Sequence, residues 1–137
     1  MSSGDFVLDP RLAADTQPVA TLPMCDVLLM DDARYAWLVL VPRRNGMVEI
    51  ADLSDRQQAA LWQEVGRVVA KLRSVTSCEK INIGALGNIV RQLHVHVVAR
   101  NQGDAAWPGP VWGNGKAEKY ESSRRDALIG RLRRVLT

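Results

Sequence analysis

Asn88-Ile89-Val90-Arg91-Gln92-Leu93-His94-Val95-His96-Val97-Val98-Ala99-Arg100 is the stretch that decides how this chain is read. The chain has two histidines, and both stand here, two residues apart. Leu93, Val95 and Val97 alternate with Gln92, His94 and His96. A period of two with β-branched residues predicts a β-strand. Successive side chains on a strand point to opposite faces. Leu93, Val95 and Val97 are therefore expected to face a core. Gln92, His94 and His96 are expected to stand in a row on the other face, roughly 7 Å apart at Cα. That polar row is where function is expected.

The flanking segments supply partners for this strand. Lys80-Ile81-Asn82-Ile83-Gly84 reads as a strand and Ala85-Leu86-Gly87-Asn88 as a glycine-bearing turn, which gives a hairpin. Further upstream, Val27-Leu28-Leu29-Met30 and Trp37-Leu38-Val39-Leu40-Val41 flank the turn-forming Asp31-Asp32-Ala33-Arg34, and Pro42 ends the second run. Residues 25–42 are thus expected to form another hairpin, apolar enough to be covered on both faces. Ser54 with Gln57 is a capping box opening a helix. Leu61, Trp62, Val65, Val68, Val69 and Leu72 mark its apolar face, with Gln63, Glu64, Arg67, Lys71 and Arg73 mostly opposite. Gly66 within it would let another backbone approach.

At the N-terminus, residues 1–23 are expected to form an arm. Phe6-Val7-Leu8 reads as a short strand, and Arg11–Ala14 as one helical turn broken at Asp15-Thr16-Gln17-Pro18. Residues 101–116 carry Trp107 and Trp112 among Pro108, Pro110 and several glycines, and are expected to form an ordered loop. Residues 120–137 are expected to hold a C-terminal helix, with Ser123 and Asp126 as a capping pair and Leu128, Leu132, Val135 and Leu136 on its apolar face. Hairpins with helices between them predict an α+β domain spanning 1–137.

Composition narrows the class. The chain has 137 residues, 47 % of them hydrophobic, as expected for a globular domain with a core. No apolar run is long enough to span a bilayer. Met1-Ser2-Ser3-Gly4-Asp5 lacks the basic and apolar regions of a signal peptide, so a cytoplasmic location is expected. Cys25 and Cys78 form no CxxC pair and are expected to be free, inert thiols. The net charge of +3 is too mild to indicate nucleic-acid binding. Its excess lies in Arg124, Arg125, Arg131, Arg133 and Arg134, read as a solvated helix face or as a weak field for anionic substrates.

Three readings of the polar row stay open at this point. Two histidines at i, i+2 can chelate a metal, with Cys78 or a distant Asp completing the set. They can be hydrogen-bonded surface residues. Or one can attack phosphorus and form a covalent phosphoramidate, which a second acceptor cleaves. That chemistry needs a neutral imidazole with one nitrogen held as a donor. It also needs donors for the phosphoryl oxygens, for which Asn82, Asn88 and the backbone of the Gly87 turn are placed.

At these residues the chain resembles the histidine triad (HIT) superfamily, whose signature is His-φ-His-φ-His-φ-φ with φ apolar. Here it reads Gln92-Leu93-His94-Val95-His96-Val97-Val98, as in a bacterial-type HIT-like protein with Gln in place of the first His. Asn82 with Gly87-Asn88-Ile89-Val90 is similar to the family's Asn…Gly-Gln-Ser/Thr-Val lead-in. Val39-Leu40-Val41-Pro42-Arg43-Arg44 resembles its Leu-Val-Ile-Pro-Lys segment. Asp52-Leu53-Ser54 opens the long helix as in the family. Ala106-Trp107-Pro108 is similar to the C-terminal Trp-Pro of one branch. Ile89 stands where Ser or Thr often occurs and Asn45 where an additional His often follows. The first hairpin lacks the family's longer Pro-bearing insertion.

The resemblance implies a HIT-like fold, an antiparallel sheet of about five strands packed with two main helices, usually in a homodimer. It implies nucleotide phosphohydrolase or nucleotidyl transferase chemistry at an α-phosphate, with no cofactor or metal required. Nucleoside phosphoramidates and (di)nucleoside polyphosphates are the substrates it suggests, with no specific nucleic acid and no membrane as partner. His94 is then the nucleophile and His96 assists the leaving group. Gln92 completes the catalytic set within the surrounding hydrogen-bond network. Asn82, Gly87, Asn88 and Trp107 are expected to bind substrate or phosphate. The alternative is a catalytically impaired nucleotide- or phosphate-binding regulatory protein of the same fold.

Overall fold

Three stretches, 25–30, 36–42 and 95–100, are too apolar to leave either face in water, and the rest of the chain is arranged to cover both. The computed structural model describes residues 5–137; the first four residues of the expected arm lie outside them. In chain order the elements are α1 (Pro10–Asp15), β1 (Thr16–Thr21), β2 (Cys25–Met30), β3 (Ala36–Pro42), a 3-10 turn (Ile50–Asp52), α2 (Asp55–Val75), β4 (Lys80–Gly84), β5 (Val95–Arg100) and α3 (Ser122–Leu136). The strands form one antiparallel sheet in the order β1-β2-β3-β5-β4. This is the expected α+β layout, with the short α1 added to the two main helices.

Strand alternation sorts the sheet's side chains into two apolar layers. On one face Val27, Leu29, Leu38, Leu40, Val95 and Val97 pack against Leu61, Val65, Val68 and Leu72 of α2 and Leu128, Ile129, Leu132 and Leu136 of α3. On the other face Leu28, Trp37, Val39, Val41 and Val98 pack against Leu12 of α1 and against Ala106 and Val111 of the long loop after β5. Each fully buried Val or Leu contributes roughly 1.5–3 kcal/mol, so both layers are needed to hold the central strands. β3 pairs with β5 so that Val39 is opposite His96 and Leu40 opposite Val95. His96 therefore points into the second layer, away from α2 and α3.

α2 begins as its sequence predicts. Ser54 Oγ accepts from Gln57 N–H, and the Gln57 side chain accepts from Ser54 N–H. Its face is rotated from the expected one. Trp62 is 46 % exposed, while Glu64 is buried. Both Glu64 carboxylate oxygens accept backbone N–H groups at the start of β2, from Met24 and Cys25, at 2.8 Å each. The carboxylate takes the place of a strand partner that β2 lacks there. Burial, reinforced by the neighbouring Glu64 charge, pushes the Cys25 thiol up, so it stays protonated. At Gly66 a Cβ would meet nothing within 4 Å, so no backbone approaches there.

The N-terminal region departs most from expectation. Phe6–Leu8 is not a strand, and Thr16–Pro18, read as part of a break, open the edge strand β1 (Thr16–Thr21). Pro18 is tolerated because its missing N–H faces no partner on an edge, and the register slips between Pro18 and Ala20. β5 starts at Val95, so Gln92 and His94 precede the ladder, and β4 and β5 are joined by ten residues, 85–94, rather than a tight turn. α3 is capped at Glu121 without a side-chain bond to the helix N-terminus, and Ser123 donates to Glu121 instead of pairing with Asp126. Ile129, not Val135, joins the buried set of α3.

Candidate active site

The two histidines sit at the N-terminal end of β5, on the face away from α2 and α3. His94 is 6 % exposed and His96 5 % exposed. Their ring centroids are 4.8 Å apart. Leu93, Val95 and Val97 turn into the opposite layer, as the alternation predicts.

Each ring has one nitrogen committed, and the commitments are opposite. His94 Nδ1 lies 2.7 Å from the main-chain carbonyl oxygen of Gln92. A carbonyl only accepts, so Nδ1 carries the proton and Nε2 of the neutral ring carries a lone pair. His96 Nδ1 accepts from the indole N–H of Trp37 at 3.0 Å. An indole nitrogen only donates, so His96 Nδ1 is the lone-pair nitrogen and Nε2 carries the proton. A second proton on His96 would set N–H against N–H. Burial, and after it electrostatic repulsion between the two rings, accordingly holds the His96 pKa down to about 3 from the ordinary 6.5. His96 is a neutral hydrogen-bond donor across the physiological range.

The walls are built from both ends of the chain. Trp112, from the loop after β5, packs edge-on to His96 with ring centroids 5.5 Å apart and to Trp37 at 6.3 Å. It lies over Gly84, the residue opposite His96 in the β4–β5 ladder. A Cβ at Gly84 would meet the Trp112 ring at 3.0 Å, so glycine lets the ring sit this close without being displaced. The Trp112 indole N–H is buried without a hydrogen-bond partner among the described residues. His94 opens onto a cavity of about 290 Å³ lined by Glu49, Ala51, Ala85, Leu86, Gly87 and Gln92 among others.

The expected phosphate-binding residues divide. Gly87 lines the His94 cavity, and its φ of 68° is one that glycine adopts at little cost. Asn88 is exposed and does not line it. Asn82 faces the same side of the sheet as Gly84, and its Oδ1 accepts from Arg100 Nη1 at 2.8 Å. That bond fixes the carboxamide and leaves its NH₂ group as the available donor. Trp107 does not reach the histidines: it stacks with the Arg100 guanidinium, 5.7 Å from its ring centroid. The Trp beside His96 is Trp112. The Gln92 carboxamide is engaged by backbone of the arm, accepting from Asp9 N–H at 2.8 Å and donating to the Val7 carbonyl at 2.9 Å.

Arg100 ties the loop to the strand. It is 1 % exposed and donates from Nε and Nη2 to Asp104 at 2.8 and 2.9 Å, and from Nη2 to the Gly109 carbonyl at 2.9 Å. The Arg100 hydrogen bonds hold the Asp104 carboxyl down to about 2. Arg100, Trp37 and Trp112 carry no signal that marks them in the sequence, because their roles depend on strand register and loop path.

The metal reading finds no third ligand: no group of three or more His, Cys, Asp or Glu is placed to hold an ion among the described residues. Cys78 lies at the Lys80–Arg100 end of the ladder, the far end from Gly84 and His96. Nor are the histidines surface residues. Of the C-terminal arginines, Arg133 bonds the Val19 and Pro18 carbonyls of β1. Arg124 and Arg131 line a separate cavity of about 300 Å³ with Ala99 and Asn101, at the opposite end of β5. Among the described residues no helix is long and apolar enough to cross a membrane.

An antiparallel five-stranded sheet with a His-φ-His pair at the start of its fourth strand in space defines a class. The sequence matches the HIT domain family over residues 11–103, and the chain belongs to that family. Among solved structures it is similar to a histidine triad (HIT) protein from Sinorhizobium meliloti 1021. That match has 49 % identity and a TM-score of 0.96 and covers 98 % of this chain and 100 % of that one. A histidine triad protein from Bradyrhizobium japonicum matches at 48 % identity and TM-score 0.94, covering 96 % and 98 %. One from Marinobacter aquaeolei VT8 matches at 41 % and 0.92, covering 96 % of each chain. No curated protein matches the sequence.

Proposed function

We propose that this protein is a cytoplasmic nucleotide phosphohydrolase or nucleotidyl transferase that works through a covalent intermediate on His94. The observation that carries the reading is the opposed pair of tautomers. His94 Nδ1–H is held by a carbonyl, which leaves the lone pair on Nε2, and the ring lines a cavity. Attack by Nε2 on the α-phosphorus forms a P–N bond as the bond to the leaving oxygen breaks. The ring becomes cationic, and the Gln92 carbonyl then accepts a charge-assisted hydrogen bond from Nδ1–H. Water attacks the phosphorus in the second step, the electrons of the P–N bond return to Nε2, and the proton of the water passes to solvent.

His96 offers Nε2–H to the scissile oxygen. As a neutral ring it donates a hydrogen bond but cannot hand over its proton without becoming an imidazolate. The bond that breaks should therefore lead to a stable oxyanion. Nucleoside polyphosphates fit this requirement better than phosphoramidates, whose amine needs a proton to depart. The Asn82 NH₂, the Gly87 backbone and the Trp112 indole N–H are donors available to phosphoryl oxygens. Gln92 takes the place of the first His of the triad. The β4 edge, with Ile83, Leu86 and Ile89 exposed beside it, suits a homodimer.

The test is mass spectrometry of protein quenched during reaction with dinucleoside polyphosphates. The expected result is a nucleotidyl adduct on His94 that is absent from His94→Ala, with turnover reduced at least roughly a thousandfold. Turnover undiminished in His94→Ala refutes the nucleophile. Tight nucleotide binding without adduct or turnover would instead favour the regulatory reading.

A further inference from the structure

Gln92 stands between the N-terminal arm and His94, and it holds both. Its side chain makes two hydrogen bonds to the arm backbone, from Nε2 to the Val7 carbonyl at 2.9 Å and to Oε1 from Asp9 N–H at 2.8 Å. Its own main-chain carbonyl receives His94 Nδ1–H at 2.7 Å. A third link runs beside these: Arg11 Nη1 donates to the Ile89 carbonyl at 3.1 Å. The arm is itself anchored. Asp9 caps α1 through Arg11 N–H, and Leu12 is buried in the layer that covers the histidine face. The segment that carries the His94 acceptor is otherwise irregular, between the end of β4 and the start of β5.

The chemistry of the side chain suits this task. A carboxamide presents a donor and an acceptor side by side, as a peptide group does, so it can close both bonds to residues 7 and 9 at once. An imidazole has its two nitrogens on diverging axes and can close one. The residue that departs from the triad is thus the one whose shape matches the arm.

We propose that Gln92 is a positioning residue for His94: its two-point clamp on Val7 and Asp9 steadies the residue-92 carbonyl, and that carbonyl holds His94 with Nδ1 protonated and Nε2 free. The proposal rests on His94 being the nucleophile only for its kinetic consequence. The tautomer itself is measurable without any substrate.

Nitrogen-15 NMR of histidine-labelled protein reports which ring nitrogen carries the proton. The variants are Gln92→Ala, Gln92→His and a matched pair at Asp9. Asp9 has φ of −53°, which proline adopts. Asp9→Pro removes the N–H that bonds Gln92, and Asp9→Ala keeps that N–H while losing the same cap. Wild type and Asp9→Ala should show His94 as a single Nδ1–H tautomer. Gln92→Ala, Gln92→His and Asp9→Pro should show His94 as a mixture, with the Trp37-held tautomer of His96 unchanged as the internal sign of an intact sheet. Adduct formation in those three should fall roughly tenfold at unchanged KM, the effect of about one net hydrogen bond. A His94 signal that stays wholly Nδ1–H in Gln92→Ala and Asp9→Pro overturns the proposal. A wild type that shows the tautomer and its loss in the variants, yet forms no adduct, supports the clamp and counts against the nucleophile.

Discussion

Acid should unfold this protein partly through one buried ring. The native fold holds His96 neutral down to about pH 3, whereas the ring in the unfolded chain takes a proton near its ordinary 6.5. Between those values the unfolded state binds a proton that the native state refuses, so stability rises with pH across the window and is lost as pH falls through it. The slope is about 1.4 kcal/mol per pH unit once the unfolded ring is mostly charged. Integrated from pH 8 to pH 5, the loss is about 2 kcal/mol. Urea unfolding of wild type and His96→Asn at pH 8, 7, 6 and 5 isolates it, because the other titrating groups are common to both. The Asn side chain keeps an oxygen acceptor for Trp37 Nε1–H without a titrating group. Wild type should lose about 2 kcal/mol more than His96→Asn over that range. Parallel curves would refute a neutral His96 and, with it, the role assigned to its Nε2–H.

Three further outcomes are expected. Gly84→Ala places a methyl 3.0 Å from the Trp112 ring, so the ring must shift against His96; stability should fall by about 1–3 kcal/mol, with a change in tryptophan fluorescence. Glu64→Gln must turn an NH₂ toward the Met24 or Cys25 N–H, and urea titration should read a cost of about 1–3 kcal/mol. Ser54→Ala removes the cap of α2 at a cost of about 1 kcal/mol in the same assay, with no effect on nucleotide turnover.

Much of the architecture was legible because it rests on local patterns. Val27–Met30, Trp37–Val41 and the Leu93/Val95/Val97 alternation report strands, and Ser54 with Gln57 reports a helix start. β1 was missed because Pro18 reads as a break unless the strand is known to be an edge. Glu64 was misplaced because its partners, the Met24 and Cys25 N–H groups, come from another element. The two histidines were legible as a pair, but their protonation was not. Trp37 reaches His96 only because Val39 pairs with His96 in the β3–β5 register. The Trp in the site is Trp112 rather than Trp107, since a loop has no period from which to read which ring turns inward. Gln92 reads in the sequence only as a replacement of the motif's first His. Its partners lie in the arm, at Val7 and Asp9, and only the folded chain brings them together.

The two faces of the sheet are covered by different material, and that difference has a kinetic consequence. α2 and α3 seal one face with continuous helical hydrogen bonding, whereas the histidine face is closed by the arm and by irregular chain between residues 101 and 121. Irregular segments, and an arm whose own helix is only the six residues of α1, open at lower free energy than the elements beneath them. Amide exchange should therefore proceed in two tiers: the arm and the Trp112 loop in partial openings, and β3, β5 and α2 only when the whole sheet comes apart. A nucleotide bound at His94 would slow exchange in the first tier by more than in the second, so occupancy of the site could be read from the lability of its cover.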